Sequence, residues 1–264
     1  MTTTMAPPVK AAGGPERRRR GRRWPLILLA VLCVAPLVYL LTAYIPPEMS
    51  RSRVPETDTF AYVLLVTHIF TASVALIAGP LQFWPWLRRR RKAHRWIGRA
   101  YLFAGVFPSA VISIPVSAQT SSFGVSSQLA TGLFSVVWFG TAYAAYRTAR
   151  RRRYADHRQW MIRNFALTFG KVTNTLLQAP VYFLVAAQDG AVGRGDDATL
   201  ITHDIAGTTS WLAFVLNLLI AEWYIQRRYG SLRASRPRPV APTAEAATAG
   251  EPRQAVDPAQ VGRA

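Results

Sequence analysis

Cysteine, lysine and acidic residues are scarce in this chain of 264 residues, and each shortage excludes something. The single cysteine, Cys33, lies in an apolar run, so an intramolecular disulfide and a cysteine-based metal site are excluded. Lys and Arg total 32 against 13 Asp and Glu, which gives a formal net charge of +19. Only Lys10, Lys92 and Lys171 are lysines, so arginine carries nearly all of the positive charge.

The sequence signatures of soluble catalysis are also missing. The chain contains no nucleophile–base arrangement of a hydrolase, no P-loop, no GxGxxG string and no HExxH string. A soluble domain of this charge would suggest nucleic-acid binding, but here the basic residues form blocks that separate long apolar runs. We therefore expect no nucleic-acid partner, and we assign no catalytic residue and no metal site. The pattern is typical of a multi-span membrane protein.

Six apolar runs account for most of the chain. The first, residues 24–45, suits a hydrocarbon core roughly 30 Å thick, is long for a signal peptide and precedes no convincing cleavage site. The predicted fold is an all-α polytopic membrane bundle of six transmembrane helices, which form a membrane domain over residues 24–229. The other five predicted spans are residues 60–84, 96–118, 128–146, 159–187 and 206–226.

The distribution of basic residues predicts the orientation. Twenty-four Lys and Arg flank one side of the spans, whereas the alternate connections hold three, Arg51, Arg53 and Arg194. By the positive-inside rule, both termini are cytoplasmic. We expect a location in the bacterial cytoplasmic (inner) membrane, with the basic blocks against anionic headgroups. The basic tail 1–23 and the Pro/Ala/Thr-rich tail 230–264 are predicted to be disordered.

The four histidines are the candidate cofactor ligands. His68 lies about 12 Å below the outer end of the second span, and His203 lies at the outer start of the sixth. His94 and His157 begin the third and fifth spans at the inner surface. An outer and an inner pair would suit two bis-histidine sites for b-type haem. Two alternatives stay open: His68 as a buried hydrogen-bonding group between helices, and the inner histidines as headgroup anchors.

The fifth span carries polar residues that are costly in lipid. If it is drawn as one continuous helix, four of them share an arc of about 80°, so we expect that stripe to face the bundle interior. Lys171 has no Asp or Glu at a matching depth, and Asn217 of the sixth span is its expected neighbour. Arg163 and Glu222 could pair as a clamp between helices. The four residues of the stripe are Arg163, Lys171, Asn174 and Gln178.

Four stretches together resemble a known family of bacterial multi-span membrane proteins, domain of unknown function 2306. Three are THIFTASVALIAGPLQFWPWLR (67–88), KAHRWIGRAYLFAGV (92–106) and DHRQWMIRNFALTFGKVT (156–173), the fourth is the short outer loop between the third and fourth spans, and the resemblance spans about 60–180. The family pattern tends to carry an arginine near position 175, where this chain has Thr175, and Lys171 could supply that charge instead. The positions that the resemblance marks are His68, Gly79, Pro80, His94, Gly98, Arg99, His157, Arg158, Trp160, Arg163 and Asn164.

The family has no settled activity, so three function classes remain open. We favour haem- or quinone-linked electron transfer that uses the histidine pairs. A transporter or proton-coupled permease would use the polar face of the fifth helix instead. A non-catalytic accessory membrane protein would need neither. The visible spectrum of the purified protein separates the first class from the other two.

Overall fold

The computed structural model describes residues 24–54, 58–119, 123–192 and 198–230. Within these ranges all regular secondary structure is helical, which confirms the predicted all-α class. The described residues fall into two compact units, one up to Ala221 and one from Glu222 onward. The tails predicted to be disordered lie outside the described residues, apart from Gly230.

The described residues contain nine α-helices, two π-helical segments and a short 3₁₀ helix, Met49–Arg51. The first π-helical segment, Ala100–Val106, joins α4 to α5, and the second, Gln226–Gly230, follows α9. The α-helices are α1 (Trp24–Leu41), α2 (Thr59–Phe83), α3 (Pro85–Arg89), α4 (Arg91–Arg99), α5 (Phe107–Gln119), α6 (Gly124–Arg150), α7 (Tyr154–Thr168), α8 (Gly170–Val192) and α9 (Ala198–Ile225).

Five helical stretches of the described chain are long and apolar enough to cross a membrane. They correspond to α1, α2, the continuous run through α4 and α5, α6, and Ile201–Gly230. The predicted fifth span differs, because it is divided at Phe169 into α7 and α8. The polar residues concentrated around this division lower the hydropathy of both pieces. The sixth crossing in the predicted count therefore depends on α7 and α8 together.

Local sequence explains where several helices begin. Asp58 caps α2, since its Oδ2 accepts a hydrogen bond from the N–H of Ala61 at 3.1 Å. Pro85 begins α3, a position where its missing N–H costs nothing. Residues 151–153 join α6 to α7, and Arg152 there has a positive φ of 58°. This tight connection places the start of α7 beside the end of α6, where His157 lies.

Close packing around two glycines holds α2 in the first unit. A Cβ at Gly105 would lie 2.8–3.0 Å from the backbone and Cβ of Ala75, so α2 and the first π-helical segment are nearly in backbone contact. A Cβ at Gly79 would lie 2.5 Å from the ring of Phe165. Small residues allow such approach in membrane bundles. The buried core that results contains Ala75, Ala78, Tyr101, Leu102, Val106, Ala110, Trp138, Ala142 and Leu167.

The described part of the second unit is short. It comprises the end of α9 and the second π-helical segment. Within it, the guanidinium of Arg227 lies 5.3 Å from the ring centroid of Trp223, in the range of a cation–π contact. The predicted clamp between Arg163 and Glu222 would join the two units and stays a prediction.

Candidate functional site

The two inner histidines lie on α4 and α7. The end of the bundle that the charge bias predicts to be cytoplasmic is called the inner end below. Nδ1 of His157 lies 2.8 Å from the carbonyl oxygen of Ala145 on α6. Because a carbonyl only accepts, Nδ1 carries the proton, and Nε2 of the neutral ring keeps a free lone pair. His94, on α4, lies at the same predicted inner end.

His94 has an unusual environment of its own. Its Nδ1 is buried and has no hydrogen-bond partner among the described residues. Arg88 of α3 also interacts electrostatically with it. One nearby carboxylate is already engaged, since Oδ2 of Asp156 lies 2.6 Å from a guanidinium nitrogen of Arg153. The inner pair therefore combines two ring nitrogens available as ligands with a cationic surrounding.

His68 is hydrogen-bonded between helices. Its Nδ1 lies 3.1 Å from the carbonyl oxygen of Ser109 and 3.1 Å from the hydroxyl oxygen of the same residue on α5. These contacts match the alternative in which His68 is a buried hydrogen-bonding group between helices. Lys171 of α8 interacts electrostatically with His68. The hydrogen bonds of His68 in the described chain thus go to α5 and not to another histidine.

The side chain of His203, a residue of α9, lies beside the first residue of α6. A Cβ at Gly124, the first residue of that helix, would lie 2.9 Å from Cγ of His203. Ser109, which bonds His68, is ten residues before the end of α5 at Gln119, or about 15 Å along a helix. The contacts of His68 and His203 thus lie at different depths, and none joins them among the described residues. Their pairing stays a prediction.

The polar residues of the fifth span do not share one buried face. Nδ2 of Asn174 donates to Thr209 Oγ1 at 3.2 Å and to Ser210 Oγ at 3.4 Å, both on α9. Gln178 Nε2 donates to Asn174 Oδ1 at 3.3 Å. Lys171 is exposed on the surface of the chain instead. Only Arg163 lies before the division at Phe169, so its angle to the other three residues no longer follows from 100° per residue. Lys171, Asn174 and Gln178 still lie on one side of α8.

Asn217 contacts α8 through Thr173, whereas the sequence suggested Lys171 as its neighbour. The hydroxyl of Thr173 donates to Oδ1 of Asn217 at 3.0 Å. The amide nitrogen Nδ2 of Asn217 is buried and has no partner among the described residues. A Cβ at Gly170, the first residue of α8, would lie 3.8 Å from that nitrogen. An unused amide donor therefore points at the start of α8.

A buried network that sequence reasoning missed connects the first π-helical segment to α6 and α7. The hydroxyl of Tyr101 donates to Asn164 Oδ1 at 2.6 Å, and Asn164 Nδ2 donates to Thr141 Oγ1 and the Trp138 carbonyl, both at 2.9 Å. Trp138 Nε1 donates to Thr168 Oγ1 at 3.0 Å. The strings HRWIGRAY and RNFALT contain three of these five residues and could have signalled them. Since the side chains satisfy one another, we assign them a structural role.

The fold and its intramembrane polar groups define a polytopic α-helical integral membrane protein. The family model described as "Predicted membrane protein (DUF2306)" matches residues 65–225, which is more than half of the chain. The chain belongs to this family, as the resemblance indicated. No curated protein and no solved structure gives a significant match.

Proposed function

We propose that this protein transfers electrons within the membrane and holds a b-type haem between His94 and His157. The observation that carries the proposal is the hydrogen bond from Nδ1 of His157 to the Ala145 carbonyl at 2.8 Å. Iron-ligating histidines are commonly oriented in this way, with one nitrogen bonded to a carbonyl and the other free for the metal. When bound, haem supplies one-electron transfer that no side chain of the chain provides.

The second ligand would be His94. Nδ1 of His94 is buried without a hydrogen-bond partner in the described chain. Burying a ring nitrogen without replacing its bonds to water destabilises the folded protein by about 1–3 kcal/mol. Coordination would satisfy it. Both helices that carry the pair begin at the inner end, and the α6–α7 connection fixes His157 next to α6. The bond from His157 to Ala145 and the unpartnered nitrogen of His94 are the two observations that support the pair.

The donor set suits haem better than a bare metal ion. No group of three or more His, Cys, Asp or Glu that could hold a metal ion occurs in the described ranges. Haem needs only two axial ligands from the protein, because the porphyrin supplies the other four. Arg88 and the exposed arginines of the inner connections provide cations that could pair with propionates. The proposal rests on the inner pair alone, since no contact joins His68 and His203 among the residues that the structure describes.

A visible spectrum of the purified, detergent-solubilised protein from haem-replete cells tests this function. We expect a Soret band that shifts on dithionite reduction and a pyridine haemochrome of the b type. His94→Ala and His157→Ala should each abolish it, whereas the control His203→Ala should keep it. A colourless preparation, or a band that survives both inner substitutions, would reject the haem and leave the permease and accessory alternatives.

A further inference from the structure

We infer that the start of α8 is a binding site for an oxygen-bearing anion within the membrane, such as a carboxylate or a phosphate. Asn217 and Lys171 would be its side-chain donors. This site is separate from the inner histidine pair and does not depend on haem.

The division of the fifth span creates a helix start inside the bundle. Across it, Phe169 N–H donates to the Phe165 carbonyl at 2.8 Å, and Thr173 N–H donates to the Phe169 carbonyl at 3.1 Å. The first N–H groups of α8, which has 23 residues, lack partners within their own helix. They carry the partial positive charge of the helix dipole. Interrupted membrane helices place such ends against anionic groups of their ligands.

The side chain of Asn217 is a second observation, independent of the helix start, that indicates a bound ligand. Its side chain is only 8% exposed, yet Nδ2 has no partner in the described chain. The bond from Thr173 to Oδ1 occupies the acceptor side of the amide and fixes its orientation. The free side is therefore a donor, and it points at Gly170. A donor in a low-dielectric interior requires an acceptor, which excludes a cation as the ligand.

Lys171 adds the charge that a neutral amide lacks. It is the second residue of α8, and it has no ion pair among the described residues. A lysine at the centre of a membrane costs about 2.5–3.5 kcal/mol, and a bound anion would offset that cost. Its exposure provides a route by which a ligand can reach the site.

The test uses the full chain in nanodiscs of a zwitterionic phosphatidylcholine. One arm titrates oleate labelled with ¹³C at the carboxyl carbon, and the other titrates inorganic phosphate and follows the melting temperature. We expect saturable binding of at least one of them. Asn217→Asp keeps the shape but replaces the donor with a like charge, so it should weaken binding about tenfold or more. Lys171→Gln should also weaken it, and Gln128→Glu, an amide-to-acid change on α6, should leave it unchanged.

Each outcome decides the inference. Binding of oleate alone indicates a ligand that enters from the bilayer, binding of phosphate alone indicates one that enters from water, and either supports the site. If neither anion binds saturably, or if both variants bind as the parent protein does, the inference is overturned. Lys171→Gln changes an exposed residue, so it keeps the test available should Asn217→Asp fail to fold. The Soret band should be the same in all variants, which separates this test from that of haem.

Discussion

At the scale of single residues, two buried asparagine side chains carry the structural and the ligand-binding interpretation of this protein. Asn164 is fully buried and satisfies three partners at once, whereas Asn217 is almost as buried and leaves its nitrogen unused. The same functional group thus forms a closed network in one place and an open donor in the other. We interpret the first as structural and the second as a ligand contact.

Replacing Asn164 tests the structural role of the closed network. Asn164→Leu should destabilise the protein by several kcal/mol, because the Tyr101 hydroxyl and the Thr141 hydroxyl each lose a buried partner worth about 1–3 kcal/mol. The measurement is the midpoint of thermal unfolding in detergent. Thr175→Val on the exposed face of α8 is the control and should change little. A midpoint for Asn164→Leu within one degree of the parent would contradict the assignment.

At the scale of elements, two contacts bring remote parts of the chain together. The first π-helical segment approaches α2 so closely that only glycine fits at position 105. Its Tyr101 reaches α7 across 63 residues of sequence through the bond to Asn164. This segment therefore fixes the distance of α2 and α7 from each other. A side chain inserted at that contact must push helices apart.

A pair of glycine substitutions measures that contact. Gly105→Ala should lower stability by about 1–3 kcal/mol through overpacking against Ala75. Gly140→Ala is the matched control, since a Cβ there meets nothing within 4 Å, and alanine is the better helix former by roughly 1 kcal/mol. The two variants should therefore shift the unfolding midpoint in opposite directions. Equal shifts would mean that the close approach at Gly105 is not tight in solution.

At the scale of the whole molecule, arginine and tryptophan mark the inner end of the first unit. Arginine side chains stack on tryptophan rings at three points, a combination suited to the membrane interface. The orientation, headgroup binding and the particular membrane stay predictions. The stacked pairs are Trp86 with Arg90 at 4.4 Å, Trp96 with Arg99 at 5.5 Å, and Trp160 with Arg163 at 5.0 Å.

Reporter fusions test the orientation. Because 24 basic residues flank one side of the spans and three the other, a reporter after Gly230 should be cytoplasmic. A reporter inserted within residues 188–200 should be exported. Alkaline phosphatase and green fluorescent protein, fused at both positions, give complementary signals. Phosphatase activity from the fusion after Gly230 would overturn the predicted topology.

The sequence by itself determined the helical class, most of the spans and the family. Hydropathy and charge are properties of short stretches, so the chain displays them without any knowledge of packing. The cost of placing Lys171 in lipid and the position of Asn217 among apolar residues were also visible in the sequence. The groups that these side chains contact were not, because helix packing decides which residues of neighbouring helices meet.

Only the tertiary structure decided the division at Phe169, the bond between His157 and Ala145, and the network around Asn164. Each depends on groups from different helices reaching hydrogen-bond distance, which helix packing settles rather than any local pattern. For the same reason the sequence did not reveal that His68 bonds Ser109 on α5. Position along a helix predicts how deep a residue lies in the membrane, but helix packing decides which neighbouring helix its side chain meets.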